Sequence, residues 1–541
     1  MVSFSTKVKR TFLPKKRTSL TVKSDLIAPS KLGNPSAAEN ASLSGVSWAD
    51  DTDQDQDLDE KDGNIDKFKI KDDYNSGYIS PVDRMVVKVV HWSGSASAFF
   101  LSATILVLWA IVGIVYKAPD TWQIVMQDGQ SIQCYIWDTL LMRQQLDDNN
   151  EFLRLYGRLK SRYVTHKRLL QFMQSGKGKV RSKDIMTEVT MEGDSDVEEH
   201  NKLESQIKLT GEGWFDRMCS FISHCIGSLP MVIIYWIGVF VWIACGSLNL
   251  RTSNTAPFSA SNPEYAKWSD EWQMYINTAV AVVLLTTSVI LENVRARNNK
   301  FVQEQIGHIG AVDCQVESIG RYTTGDMDDN AIIEVPGCER KHFRKMISWY
   351  AEVIGTGVGL MLSAGVFVTW ISIGHTLKWN SDWWLIIGTY TGLVGYVDGF
   401  TLREVYYSIT LYEEDKFMEL LADSQELLEL AGIDYQLREL HEKKNIGHRI
   451  SAFVSKATSS QYAVVASICT VIGLICIATG LGWSVTGQLI CNSPTMIIEA
   501  FCMLILIQSH SWADYKRRFV VKQLAVSRNL LLEHVKNIED A

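Results

Sequence analysis

Residues 94–138, GSASAFFLSATILVLWAIVGIVYKAPDTWQIVMQDGQSIQCYIWD, decide the fold. An apolar stretch from Gly94 to Tyr116 is followed by a loop with Trp122-Gln123, then by a second stretch that opens on the polar pair Gln127-Asp128. The same order recurs three times. Cys225 to Ser247 leads to Trp272-Gln273 and Asn277-Thr278, Ile354 to Ile373 leads to Trp384 and Thr389-Tyr390, and Tyr462 to Trp483 leads to Gln488 and Asn492-Ser493. Each block holds about 20 mostly apolar residues, which at about 1.5 Å per residue spans a hydrocarbon core roughly 30 Å thick. Such a repeat in a membrane chain points to transport.

The reading is an all-α, polytopic membrane protein with about eight transmembrane helices, arranged as four repeated helical hairpins with helical cytoplasmic linkers. The hairpins cover 91–145, 222–295, 351–404 and 461–513; the linkers cover 146–221, 296–350 and 405–460; a cytoplasmic tail covers 514–541. Residues 1–90 have no apolar signal segment. They begin basic and turn acidic from Asp50 to Asp62, the composition of a disordered tail. At 541 residues and 46% hydrophobic content the chain averages like a soluble protein, because its polar linkers offset its apolar blocks. Lys and Arg concentrate in the linkers and in the segment from Lys516, whereas the loops inside the hairpins carry few. The positive-inside rule then makes both termini and all linkers cytoplasmic, with Trp122, Trp268, Trp272, Trp379, Trp383, Trp384 and Trp483 at the outer interface.

The formal net charge of −8 gives no sign of a nucleic-acid partner. The ten cysteines have no CxxC spacing, and the eleven histidines are dispersed, so neither a zinc domain nor a catalytic constellation is expected. The second helix of each pair is where chemistry concentrates. Asp128, Asp138, Asp398 and Glu499 fall within these helices, and the sequence places no Lys or Arg at comparable depth. A carboxylate in the bilayer interior costs a few kcal/mol or more, about 2.5 on insertion scales, so such groups need protons, water or an incoming cation. Gln127, Ser131, Cys134 and Asp138 recur at helical spacing on one face, as do Asn492, Thr495, Glu499 and Cys502; the third unit has Thr391, Gly395 and Asp398, and the second has Asn277 and Thr278. Oxygen donors with an occasional thiol suit divalent transition metals bound weakly enough to leave. Asp270 and Glu271, with Glu264, Asp120 and Asp382, form a second candidate set in the outer loops, where acids concentrate cations.

Ser95-Ala96-Ser97-Ala98-Phe99, Leu108-Trp109-Ala110-Ile111-Val112-Gly113, Asp120-Thr121-Trp122-Gln123 and the polar second helix ending at Arg143-Gln144 resemble the low-affinity iron permease family. Asp270-Glu271-Trp272-Gln273 followed by Ile276-Asn277-Thr278 agrees with the same landmarks, and the resemblance runs from Val90 to Arg518. The chain is similar in plan to the fungal plasma-membrane members. That resemblance implies low-affinity uptake of ferrous iron and, less selectively, of zinc, copper, manganese and cobalt. The metal is substrate; no cofactor is implied. Its partners are then divalent metal ions and the lipid bilayer, with a homo-oligomer left open. Without a GxxxxGK[ST] loop, the expected drive is the membrane potential, about 4.6 kcal/mol per 100 mV for a divalent ion, with or without coupled protons. The alternative is a less selective cation channel using the same acidic path; an enzyme is not expected. Unit one departs from the Asn-Thr landmark, unit three has no Gln after Trp384, and unit four has no Trp before Gln488.

Overall fold

The computed structural model describes residues 19–29, 89, 92–93, 95–117, 120–174, 214–247, 268–338, 343–355, 357–379, 381–435 and 446–540. Among these, four apolar helices are short: α1 (Ala96–Tyr116), α4 (Leu229–Ser247), α7 (Gly357–Thr376) and α10 (Gln461–Gly480). Each is followed by a very long one: α2 (Asp120–Gln174), α5 (Asp270–Thr324), α8 (Ser381–Leu430) and α11 (Val485–Asp540). Three helices of 12 or 13 residues, α3 (Trp214–Ile226), α6 (Phe343–Ile354) and α9 (Ile446–Thr458), lead into α4, α7 and α10. Their apolar residues fall on one side, and Trp214, Phe221, Met346, Trp349, Ile450 and Phe453 are exposed, as on helices that lie along a membrane surface.

The long helices form the centre, neighbouring one another in the ring α2, α5, α11, α8. The short helices lie outside them. Only 11 to 17% of the most apolar window of α1, α4 and α10 is buried, against 50 to 78% in α5, α8 and α11, so the short helices present their flanks to lipid. At 50 to 56 residues the long helices extend about 75–84 Å, more than twice the thickness of a hydrocarbon core. Their second halves continue as a distal four-helix bundle. Its core contains Phe152, Leu159, Ile309, Phe417, Leu420, Phe519 and Leu524.

The protein is therefore an all-α polytopic membrane protein, and among the described residues six helices are long and apolar enough to cross a membrane. The sequence reading expected eight. In α2 the residues Gln127, Asp128, Gln130, Gln133 and Asp138 interrupt the apolar run, and α7 offers only the shorter stretch Met361–Thr376. Two expectations about the polar segments change. A single helix runs through each of positions 145, 295, 404 and 513, where the sequence reading placed the ends of the hairpins. Residues 19–29 are ordered where a disordered tail was expected. Strand β1 (Ser19–Lys23) pairs antiparallel with β2 (Ile332–Pro336), Ser19 opposite Pro336 and Lys23 opposite Ile332, and buries Leu20 and Val22 on the bundle. Most of the rest of the expected tail lies outside the described residues. The physical reason is burial: an alternating strand with an apolar face can cover a helix pair whatever the composition around it.

The short and long helices are joined by reciprocal tryptophan clasps. The indole of Trp109 donates to the Trp122 carbonyl at 3.2 Å and that of Trp122 donates to the Trp109 carbonyl at 2.7 Å, with the rings stacked 3.9 Å apart. Trp370 and Trp383 repeat this at 2.9 and 2.7 Å, with stacking at 4.2 Å. Trp242 and Trp272 exchange the same two bonds at 3.1 and 3.2 Å. The ring of Trp122 lies where a Cβ on Gly113 would be, 2.2 Å from its nearest atom, so this helix pair closes only over glycine. In the fourth pair the Cys491 thiol donates to the Leu474 carbonyl at 3.3 Å instead.

The distal bundle also buries charge. Arg528 faces Asp313 at 3.3 Å and Arg321 pairs with Glu317 at 3.0 Å. His166 meets the Asp313 carbonyl at 3.1 Å through Nε2. Burial, aided by the Arg528 guanidinium, holds the His166 imidazole down to about 3. Because this lies below the ordinary value of about 6.5, the unfolded chain takes up a proton over an interval in which the folded chain does not. The stability contribution is complete above about pH 6.5 and is lost progressively as pH falls toward the folded value. For His166→Gln, thermal unfolding in detergent is expected to show a smaller loss of Tm between about pH 7 and about pH 5 than the unsubstituted protein. Equal losses would mean that the imidazole titrates as an exposed one.

Candidate functional site

The clasps fix the relative height of the long helices. Trp383, not Trp384, makes the third clasp, so the polar pair expected at Thr389-Tyr390 belongs one residue earlier, at Gly388-Thr389. Adjacent tryptophans made the two registers indistinguishable from sequence. Counting from Trp122, Trp272, Trp383 and the matching Gly487, the fifth residues are Gln127, Asn277, Gly388 and Asn492. The geometry agrees with this register. A Cβ on Gly388 would lie 2.8 Å from Asp128 Oδ1 and 3.8 Å from Asn492 Nδ2; one on Gly392 would lie 2.6 Å from Asn492 Oδ1 and 3.3 Å from Thr495 Oγ1; one on Gly395 would lie 3.5 Å from both Glu499 oxygens. Glycines at 388, 392 and 395 thus open one face of α8 to the polar side chains of α2 and α11.

Around this groove the buried groups sort by height. At the end near the clasps Gln127 donates to Thr278 Oγ1 at 3.0 Å and to the Met274 carbonyl at 3.2 Å, tying α2 to α5. Asn277 is fully buried, and neither its amide oxygen nor its nitrogen has a hydrogen-bond partner among the described residues. Deeper, Glu499 lies within hydrogen-bonding reach of the Cys134 thiol and close to Asp398 and Asp138. Asp398 Oδ1 accepts from the Tyr350 hydroxyl of α6 at 2.5 Å. One oxygen each of Asp128, Asp138 and Asp398 is buried without a hydrogen-bond partner among the described residues. Buried polar atoms are nearly always satisfied in folded proteins, so a run of orphaned ones marks where water or an ion belongs.

The structure gathers Asp128, Asp138, Asp398, Glu499, Cys134 and Asn492 on one axis, with Gln127, Thr278 and Asn277 at its clasp end. It separates two other candidates from them. Asp270 is the first residue of α5, behind the capping Ser269, and accepts from Thr486 at 2.9 Å; Glu271 accepts from Tyr275 one turn on. The side chains of Asp120 and Asp382, and all of Glu264, lie outside the described residues. Cys502 is buried beside the guanidinium of Arg403, which also donates to Thr458 at the end of α9. This corrects the expectation of no basic group at depth. Long helical side chains lean toward the helix N-terminus, so Arg403, next to the last residue of the expected third hairpin, reaches back up to Cys502.

Tyr350, Arg403, Gly388 and Gly392 were missed from sequence. Gly388, Gly392, Gly395 and Gly399 at three- and four-residue steps were the available signal. Among the described residues no three carboxylate, thiol or imidazole groups converge in a tight cage. The donors are strung along the axis, an arrangement suited to brief, successive contacts.

A family model described as low affinity iron permease matches residues 82–174 and 447–541, which contain the first and last helix pairs. The chain is 43% identical over 462 residues to a low-affinity Fe(2+) transport protein of Saccharomyces cerevisiae, covering 84% of this chain and 83% of that one. The chain belongs to the low-affinity iron permease family. A low-affinity iron/zinc ion transport protein of Schizosaccharomyces pombe is 39% identical over 448 residues, covering 82% of this chain and 72% of its own. No solved structure matches.

Gly392→Ala tests the groove directly. Alanine ordinarily strengthens a helix by about 0.5–1 kcal/mol over glycine, yet here its methyl would displace Asn492. Iron uptake is expected to fall several-fold while surface abundance and Tm hold. Gly399→Ala, where no atom lies within 4 Å of the added methyl, is the matched control and should leave uptake unchanged.

Proposed function

We propose that this protein carries ferrous iron, and less selectively zinc, copper, manganese and cobalt, across the plasma membrane into the cytoplasm at low affinity. The observation that carries this reading is the set of four buried carboxylates on the axis of the long helices, Asp128, Asp138, Asp398 and Glu499, none of which forms an ion pair with a Lys or Arg among the described residues. Their natural counter-charge is a cation in transit. The glycine-lined groove gives it room, and the amide and hydroxyl oxygens of Gln127, Asn277, Thr278 and Asn492 supply neutral ligands above the acids. Hard oxygens with one or two thiols bind divalent first-row metals without strong preference. The names of the two relatives, one for Fe(2+) and one for iron and zinc, point the same way.

The same reading makes the protein four repeated hairpins with eight spans. The clasp that ties α2 to α1 is the one that ties α8 to α7 and, in its paired hydrogen bonds, α5 to α4, so all four long helices enter the membrane side by side. The basic residues beyond the spans orient the distal bundle and both termini toward the cytoplasm. Inward flow is driven by the membrane potential, and a carboxylate that exchanges its cation for a proton offers a route for proton coupling.

The test is uptake of radiolabelled iron in cells lacking their own iron transporters, with zinc as competitor. Asp398→Asn and Glu499→Gln are each expected to lower uptake at least several-fold without lowering surface abundance. Unchanged uptake in both variants would remove the axial path. Uptake that neither saturates nor responds to zinc would favour an unselective cation channel.

A further inference from the structure

Below the last intramembrane acid, the axis closes on four leucines. Leu141, Leu291, Leu402 and Leu506 stand nineteen residues after Trp122, Trp272, Trp383 and Gly487, one from each long helix at the same height. All four are buried and belong to one apolar cluster. Four residues further along each helix come Gln145, Arg295, Tyr406 and His510, and these four line a single polar cavity with Asp148, Glu413, Asp514 and Arg517. Residues four apart share a helix face. The faces that meet around the cavity are therefore the faces that carry the leucines, about 6 Å nearer the membrane centre. Toward the acids, Asp398 precedes Leu402 by four residues and Glu499 precedes Leu506 by seven, again on one face.

The cavity is chemically unlike the layer above it. Glu413 pairs with Arg517 at 2.5 Å, Asp148 faces Arg295 at 3.6 Å, and Asn298 donates to Asp514. Three carboxylates face two guanidiniums, which leaves one negative charge. Past the cavity the axis is filled by the aromatic core of the distal bundle, including Phe152 and Phe417 with rings 4.7 Å apart. An ion that reaches the cavity leaves between the helices, not along the axis.

We propose that the ring of Leu141, Leu291, Leu402 and Leu506 is the gate of the permeation path, and that the cavity beneath it is the chamber from which the ion passes to the cytoplasm. This rests on the transport reading above. Alkyl side chains offer a divalent ion nothing to replace its hydration shell, so a closed ring of them dries out and blocks passage. The structure is the closed state, with acids on one side of the ring and the charged chamber on the other.

The native thiols allow a test that does not involve transport. Cys502 lies on the acid side of the ring, four residues before Leu506. Inside-out vesicles holding the full chain are treated with a small cationic methanethiosulfonate, and modification of Cys502 is read by mass spectrometry. In the unsubstituted protein Cys502 is expected to resist, whereas Gln145→Cys in the chamber reacts readily. In Leu506→Asn and Leu291→Asn, which change polarity at nearly constant size, Cys502 is expected to react at least ten-fold faster. Equal reactivity of Cys502 and the chamber thiol in otherwise unsubstituted protein overturns the gate, as does unchanged protection of Cys502 in asparagine variants that keep their Tm. If the protection pattern holds while Asp398→Asn transports normally, the gate stands and the metal path falls.

Discussion

Hydrocarbon neither donates nor accepts hydrogen bonds, and every other feature of this protein answers to that constraint. Four helices carry carboxylates, amides and hydroxyls at membrane depth, so their polar faces must turn toward one another. The cost of leaving one such face in lipid, several kcal/mol per uncompensated group, exceeds what any single packing contact returns. The four apolar helices complete the solution. They cover the outer faces of the polar ones and expose their own flanks to lipid, which is why most of their large side chains remain uncovered.

Inward-facing polarity creates a second problem, because polar faces can slide past one another with little penalty. The tryptophan clasp removes that freedom. A bidirectional pair of indole-to-carbonyl bonds, with the rings stacked in two of the three pairs, holds α2, α5 and α8 each at one height against its short partner, and the Cys491 thiol does this for α11. Once the height is set, the layers below follow: amides, then carboxylates with Cys134, then the leucines, then the charged chamber. The distal bundle extends the same clamp. Its buried ion pairs and aromatic core bind the helix ends together.

The layers are regular in position and irregular in chemistry. At the height where α11 presents Glu499, α2 presents Cys134, α5 presents Leu284 and α8 presents Gly395. The second helix pair has no acid at the heights of Asp128, Asp138, Asp398 and Glu499, and its contribution there is Asn277, Thr278 and a packing surface. Four acids at one height would repel one another and bind a divalent ion too tightly to release. Distributing them over two or three turns, with a glycine face opposite, lowers both penalties.

Residue pattern alone determined the membrane class, the pairing of an apolar helix with a polar one, the inward acids and the family, because these depend on local composition and on short landmarks. It did not determine the register of α8, since Trp383 and Trp384 are equivalent until one of them finds the Trp370 carbonyl. Nor did it distinguish a linker from a helix continuing out of the membrane, because the polar sequence past residue 145 becomes bundle core only when three other helices arrive to cover it. Strand β1 needed β2, more than three hundred residues away, before its alternation meant anything. Arg403 joined the axis only through the direction in which a helix aims its side chains. The leucine ring is the clearest case. Leucine is unremarked in any membrane segment, and four of them become a constriction only when tertiary packing brings four helices to one height, because a barrier to an ion is a property of the space they enclose together.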